Sequence, residues 1–257
     1  MDFTFKKYAN IIKTFLDNDY LIIPFSYYIE NKDLVLKKSL ILRHDVDRFP
    51  INALKMAQIE AEMGVKSTYF FRIIPEVFKP DIISQIADLG HEIGYHYEDL
   101  SLCSGNLEES IEHFKTKLAL LRNYYPIKTI CMHGSPLSKW DNKTIWKTYD
   151  YKAFGILGDT SLDVNYDNFF YVSDNGRAWN RKSVSVRDKV ETKYEIPIKN
   201  SNHFIDLIDS KGIPNNVMLN CHPDTFFDFG IKYVLNYLFI ETKNSIKWFI
   251  VKFKLIK

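Results

Sequence analysis

SLILRHDVD, residues 39–47, is a short apolar run that breaks off in charged side chains. A run of this length suits a strand covered on both faces, as in parallel sheets, with its reactive end at the surface. Its surroundings agree. INALKMAQIEAEM (51–63) has helical periodicity and stops at Gly64. KSTYFFRI (66–73) is rich in β-branched and aromatic residues and reads as a second strand, and PDIISQIADLG (80–90) opens with Pro and closes with Gly as a helix does. The rhythm continues through HEIGYH (91–96, strand), NLEESIEHFKTKLALLRNYY (106–125, helix), KTICMHG (128–134, strand), NKTIWKTYDY (142–151, short helix) and AFGILGD (153–159, strand). FFYVSDNGRAW (169–179), SVSVRDKV (183–190) and YEIPI (194–198) read as short strand-like or loop pieces. NHFIDLIDSKG (202–212) reads as a helix before a last strand, NNVMLNCHP (215–223).

Strands alternating with helices imply an α/β fold of parallel strands joined by crossovers, either a closed barrel or an open doubly wound sheet. No Gly-rich phosphate loop follows the first strand, which removes support for a dinucleotide-binding version. Before the rhythm starts, Phe5, Tyr8, Ile11, Ile12, Phe15 and Leu16 fall at helical spacing. Residues 1–38 are therefore expected to be a helical extension on a barrel-like unit spanning 39–227. Residues 228–257 form a basic, aromatic tail with Glu241 as its one acid after Asp228. It is expected to be helical, either packing on the barrel or touching a membrane surface or a partner.

With 257 residues, 46% of them hydrophobic, the chain can bury one substantial core. Its net charge of +2, from 34 basic and 32 acidic residues, argues against a nucleic-acid binder. Cys103, Cys131 and Cys221 are too widely spaced for a metal ribbon or a disulfide framework and read as small apolar residues in a reducing compartment. The N-terminus does not read as a secretory signal and no run of ~18 apolar residues occurs. The expectation is a cytoplasmic protein, with the tail allowing contact at the inner membrane face.

In parallel α/β folds the carboxyl ends of the strands build the site. Four such ends carry reactive groups here: Arg43, His44, Asp45 and Asp47; His91 and His96; His133 and Ser135; and Asn220 with His222. Asp45 and Asp47 lie one residue apart, and two carboxylates sharing a pocket need a cation or proton between them. His96, His133 and His222 are the imidazoles placed to join them. His44 alternates away and suits a core histidine, His91 suits an orienting hydrogen bond as well as a ligand, and His113 and His203 suit surface or capping roles.

HDVD (44–47), GHEIGYH (90–96), MHGSP (132–136) and LNCHP (219–223) resemble, in order and spacing, the motif series of the polysaccharide deacetylase family of carbohydrate esterases. The resemblance spans roughly residues 39–225. SDNGRAW (173–179) and Asn142–Lys143 are similar to a bacterial subgroup associated with surface polysaccharides. It implies a distorted (β/α) barrel with a divalent metal, usually zinc, with cobalt or nickel as alternatives, acting on a carbohydrate substrate. By position it implies Asp45 as catalytic base, Asp47 and His96 as metal ligands, and His222 as the acid that protonates the leaving amine. The family's second motif has two histidines four residues apart, whereas Leu100 follows His96 here. His133 is the candidate replacement ligand and His91 the reserve. Arg43 is expected to hold Asp45 as an anion, and Ser135, Asp174, Arg177 and Trp179 to contact substrate, Trp179 by stacking on a sugar ring. The resulting reading is a metal-dependent hydrolase that removes an N-acyl group from an amino sugar. A metal-independent amide hydrolase and an inactive carbohydrate-binding barrel are its two rivals.

Overall fold

Eight strands, each hydrogen-bonded pair of them parallel, form one sheet in the computed structural model, which describes residues 1–32, 38–135, 138–180 and 190–252. They are β1 (Leu21–Ile23), β2 (Ser39–Val46), β3 (Thr68–Phe71), β4 (Glu92–Tyr97), β5 (Thr129–Met132), β6 (Gly158–Asp159), β7 (Phe170–Ser173) and β8 (Asn216–Cys221). The order is β6-β5-β4-β3-β2-β8-β7, with β1 beside the first three residues of β2 and β3 beside its last four. Among the described residues no pairing joins β6 to β7, so the sheet is a curled, distorted (β/α) barrel left open along one seam.

Helices α1 (Phe5–Asp17), α2 (Phe25–Glu30), α3 (Pro50–Glu62), α4 (Pro80–Asp88), α5 (Asp99–Leu102), α6 (Leu107–Arg122), α7 (Ser201–Asp209) and α8 (Ile231–Lys252) alternate with the strands. Local chemistry sets their ends. The Thr4 hydroxyl accepts the Lys7 N–H ahead of α1, Pro50 and Pro80 open α3 and α4, and the Asn106 side chain accepts from the second and third residues of α6. Gly64 takes the positive φ of 72° that ends α3.

Two apolar cores result. The smaller, with Ile23, Phe25, Ile41, Phe70, Cys131 and Met218, plugs the barrel interior, while the larger lies between the sheet and the outer helices. Gly94 on β4 is where the plug is tightest, since a Cβ there would lie 2.3 Å from the Phe70 ring.

β2 is buried along its whole length, and its alternation divides two polar systems. Arg43 and Asp45 face the interior. His44 faces the helices, where its Nε2 lies 2.8 Å from Glu60 of α3, which also accepts from the Tyr8, Tyr69 (2.9 Å) and Ser67 hydroxyls. His91 lies in this outer layer too: its Nδ1 accepts from the Ser67 N–H at 3.2 Å and its Nε2 meets the Ala57 carbonyl at 3.0 Å. Its reserve role as a metal ligand is therefore corrected. The imidazole is occupied on the far side of the sheet from Asp45.

Several local expectations are also revised. The N-terminal extension contributes β1 to the sheet, and three residues were too few to show a period in the sequence. AFGILGD keeps only Gly158–Asp159 as strand, whereas the short helix of 142–151 is a 3-10 helix over Asn142–Lys147 and YEIPI is irregular, one of the two forms its pattern allowed. Of SVSVRDKV, all but Val190 lies outside the described residues.

Glu60→Ala strands a buried imidazole and three hydroxyls, and it is expected to cost ~3–5 kcal/mol in urea unfolding, the usual result of removing one member of a buried charged network. An unchanged midpoint would show that the network is not a stability element.

Candidate metal and proton-transfer site

Asp45 ends the interior face of β2, and its carboxylate is fixed on one side. Arg43 Nη2 donates to Oδ2 at 2.8 Å and Asn220 Nδ2 donates to the same oxygen at 2.9 Å. The Cys131 thiol sits 3.8 Å from Oδ1. Burial favours the protonated acid, but the Arg43 guanidinium, with help from His96 and His222, wins and holds the Asp45 pKa below the usual carboxylate range. Arg43 is 5% exposed and can do this only because Asp45 balances it.

Asp47 lies just past β2, its N–H accepted by the Asp45 carbonyl at 3.1 Å. That turn brings its carboxylate beneath two imidazoles: Oδ1 is 3.3 Å from His96 Nε2 and 3.6 Å from His133 Nε2. Oδ1 is buried and accepts no hydrogen bond among the described residues. Burial raises the Asp47 pKa, but the two histidines outweigh it and hold the carboxyl well below its ordinary value. His96 responds in the opposite sense: burial lowers its pKa and Asp45, the largest of several opposing influences, pulls it well up.

Each imidazole is oriented from behind. His96 Nδ1 meets the Cys131 carbonyl at 3.0 Å, and His133 Nδ1 meets Glu98 Oε2 at 2.8 Å. Glu98 is in turn clamped by Arg72, whose Nη2 is 2.6 Å from Oε1. The Ser135 hydroxyl, 3.1 Å from His133 Nδ1, and Asn142, which donates to the His133 carbonyl at 2.9 Å, complete the support.

His222 follows β8 and is held by Asp174, which follows β7: Nδ1 lies 2.6 Å from Asp174 Oδ1, and the His222 N–H donates to the same carboxylate. The Thr225 hydroxyl donates to Asp174 Oδ2. Burial lowers the His222 pKa, but Asp174 first, and then Asp45 and Asp47, raise it to about 10. This favours the imidazolium form, whose second proton lies on Nε2, opposite the nitrogen held by Asp174.

One donor set among the described residues has the spacing of a cation site: Asp45, His96 and Cys131 place one ligand atom each within 4.8 Å of one another. Asp47, His96 and His133 offer a second set on ion-pair distances alone, Asp47 Oδ1 lying 3.3 Å and 3.6 Å from the two Nε2 atoms. In the first set Arg43 and Asn220 already occupy Asp45 Oδ2, and burial pushes the Cys131 thiol pKa up, away from the thiolate a metal needs. In the second, both histidines have their far nitrogens tied to oxygen acceptors, the outer-layer arrangement typical of metal-ligating imidazoles. Leu100 is buried in the short α5 and offers no ligand atom.

The expected substrate contacts divide. Arg43 and Ser135 lie beside Asp45 and His133. Asp174, fully buried, is spent on His222 and Thr225, so its expected contact with sugar hydroxyls is corrected to positioning His222. Trp179 is corrected as a stacking platform: its Nε1 donates to Ser201 Oγ at 3.0 Å and its ring packs against Phe3 and Phe204 in the core. Arg177 is likewise structural, donating to the Thr225 carbonyl at 3.1 Å with its guanidinium 4.3 Å from the Tyr233 ring centre. Sequence reasoning missed Glu98 and Cys131. Glu98 could have been found from its place two residues after His96, where an extended chain returns to the same face.

No protein-family profile matches the chain, and no curated protein sequence does. Among solved structures the chain is similar to a family 4 carbohydrate esterase from Bacillus anthracis (15% identity, 80% of this chain and 88% of that one, TM-score 0.41). It is also similar to a CE4 family pseudoenzyme from the same organism (12% identity, 84% and 66%, TM-score 0.45). A third is a mutant of the peptidoglycan deacetylase PdaC from Bacillus subtilis (10% identity, 82% and 95%, TM-score 0.39). The fold described above rests on the chain's own strand order, independently of these likenesses.

Glu98 provides a check on the site's charge balance. Burial raises its pKa, but His133 and Arg72 bring it from 4.5 down to about 2. A depressed carboxylate contributes its stability above the unfolded pKa and loses it as pH falls through the folded one. Wild-type unfolding free energy is thus expected to drop between about pH 4.5 and pH 2, Glu98 supplying up to about 3 kcal/mol of that fall. In Glu98→Gln the acid limb is shallower by that share, and identical acid limbs would refute the assignment.

Proposed function

We propose that the protein is a hydrolase of the polysaccharide deacetylase type that removes an N-acyl group, in the first instance N-acetyl, from an amino sugar. Asp47, His96 and His133 would hold its divalent metal. The observation that carries this reading is Asp47 Oδ1, 3.3 Å from His96 Nε2 and 3.6 Å from His133 Nε2, two nitrogens whose opposite ring atoms are already engaged. A carboxylate and two imidazoles suit zinc and accept cobalt or nickel.

A bound divalent cation supplies Lewis acidity, polarising an amide carbonyl and acidifying water nearby. The remaining steps belong to the chain. Asp45 keeps Oδ1 turned away from Arg43 and Asn220, and that oxygen takes the proton of the attacking water. Its depressed pKa makes it a weak base, always ionised, which works only on water already made acidic. The water oxygen bonds to the acyl carbon, and the C–N bond breaks as His222 Nε2–H gives its proton to the departing nitrogen. A carboxylic acid and a free amine result. Asp174 holds His222 in the tautomer that places this proton on Nε2 and favours its charged form.

In the rival reading of an amide hydrolase without metal, Asp47 would serve only as an ion-pair partner of His96 and His133. A pure binding barrel has no use for an imidazolium held at a pKa of about 10 near a base.

Metal analysis of the purified protein is expected to give stoichiometric zinc, cobalt or nickel. His133→Ala is expected to lower metal affinity at least ~10-fold by competition with a chelator. With N-acetylated amino-sugar oligomers, Asp45→Asn and His222→Gln are each expected to cut acetate release ~10²–10⁴-fold while retaining the metal. Full metal binding in His133→Ala, or an unchanged rate in Asp45→Asn, would overturn the respective role.

A further inference from the structure

Over residues 231–245, helix α8 has its polarity inverted. Amphipathic helices on a barrel normally turn apolar residues inward. Here Asn236 and Asn244 face the barrel, buried at 8% and 3% exposure, with Ile240 between them. The reason is local: the amide of Asn236 donates to the Asp224 carbonyl at 3.0 Å and that of Asn244 to the Gly176 carbonyl at 2.9 Å, satisfying loop acceptors that no strand reaches. The outward surface carries Phe229, Ile231, Val234, Leu235, Leu238 and Phe239, which are 44–81% exposed. Ile231, Leu235 and Leu238 recur at intervals of four and three, so they form one stripe.

The helix also has a fixed place at the rim of the site. Asp224 lies two residues past His222, Gly176 two past Asp174, and the guanidinium of Arg48, next to Asp47, sits 4.6 Å from the Phe239 ring centre. The apolar stripe thus borders the loops that carry the proposed chemistry.

Charge indicates the occupant of this face. Residues 229–257 hold six lysines and one glutamate, a charge of +5, so the preceding 228 residues carry −3 of the chain's net +2. By sequence, a second copy would add another segment of charge +5 to this one, whereas an anionic bilayer attracts both the charge and the apolar stripe. No helix among the described residues is long and apolar enough to cross a membrane. We propose that α8 is a peripheral docking element that lies in the surface of an anionic lipid bilayer and turns the mouth of the site toward it. This inference does not rest on the metal or on the deacetylase reading, and either can fail without the other.

The test uses the full chain in flotation with vesicles of phosphatidylcholine alone or mixed with phosphatidylglycerol. Light scattering reports the oligomeric state. Leu235→Glu with Leu238→Glu changes only exposed positions, and circular dichroism with an unchanged urea-unfolding midpoint confirms that the fold survives. Wild type is expected to float with phosphatidylglycerol vesicles, to be released as salt is raised, and to lose at least ~10-fold in partitioning in the double variant. Absence of binding to anionic vesicles, or equal partitioning of the two proteins, overturns the proposal. So does a dimer that the double variant converts to monomer, since that assigns the face to a second copy.

Discussion

A carboxylate buried at the end of a strand must meet a positive charge or carry a proton, and this single requirement orders the open end of the barrel. Arg43 neutralises Asp45, the imidazoles of His96 and His133 face Asp47, Arg72 and His133 share Glu98, and His222 answers Asp174. Apart from Arg43, which shares β2 with Asp45, each partner arrives from a different strand or the loop after it. The parallel register of β2, β3, β4, β5, β7 and β8 therefore sets the distances of the other pairs. A slip of one residue in any pairing would turn the charged side chain to the other face and leave its partner stranded.

The same alternation explains why two polar systems coexist without merging. His44 and Glu60 lie behind β2 among Tyr8, Tyr69 and Ser67, while Arg43 and Asp45 lie in front. The rear network fixes the strand against α1 and α3, and the front one stays available for chemistry. At the other end of the barrel Glu92 accepts from Thr68, Thr129 and the Ser26 N–H, which ties β3, β4 and β5 to the start of α2.

Much of this was legible in the sequence because strand ends are short, apolar and abruptly charged. HDVD, GHEIGYH and LNCHP each announced a side chain that the fold brings to the common mouth. What escaped was set by tertiary contact rather than by local pattern. β1 is three residues whose pairing with β2 exists only after the chain has folded back. Trp179 and Arg177 stand in a loop that looks like a binding loop by composition. Phe3 and Phe204 claim the indole, and the Thr225 carbonyl claims the guanidinium. Asp174 was found, but as a sugar contact, because nothing in its neighbourhood reveals that His222, 48 residues later, would fold onto it.

The proposed donor set, with Leu100 offering no ligand, has an order of assembly of its own. With histidines four residues apart on one helical turn, a chain can offer two ligands before it has folded, whereas here residues 47, 96 and 133 belong to three separate strand–helix units. No short segment contains two of them, so a cation could find its complete set of donors only once β2 through β5 have paired. Capture of the ion would then be a late event that reports a finished barrel, and an unfinished chain would have no local nest in which to trap the wrong metal.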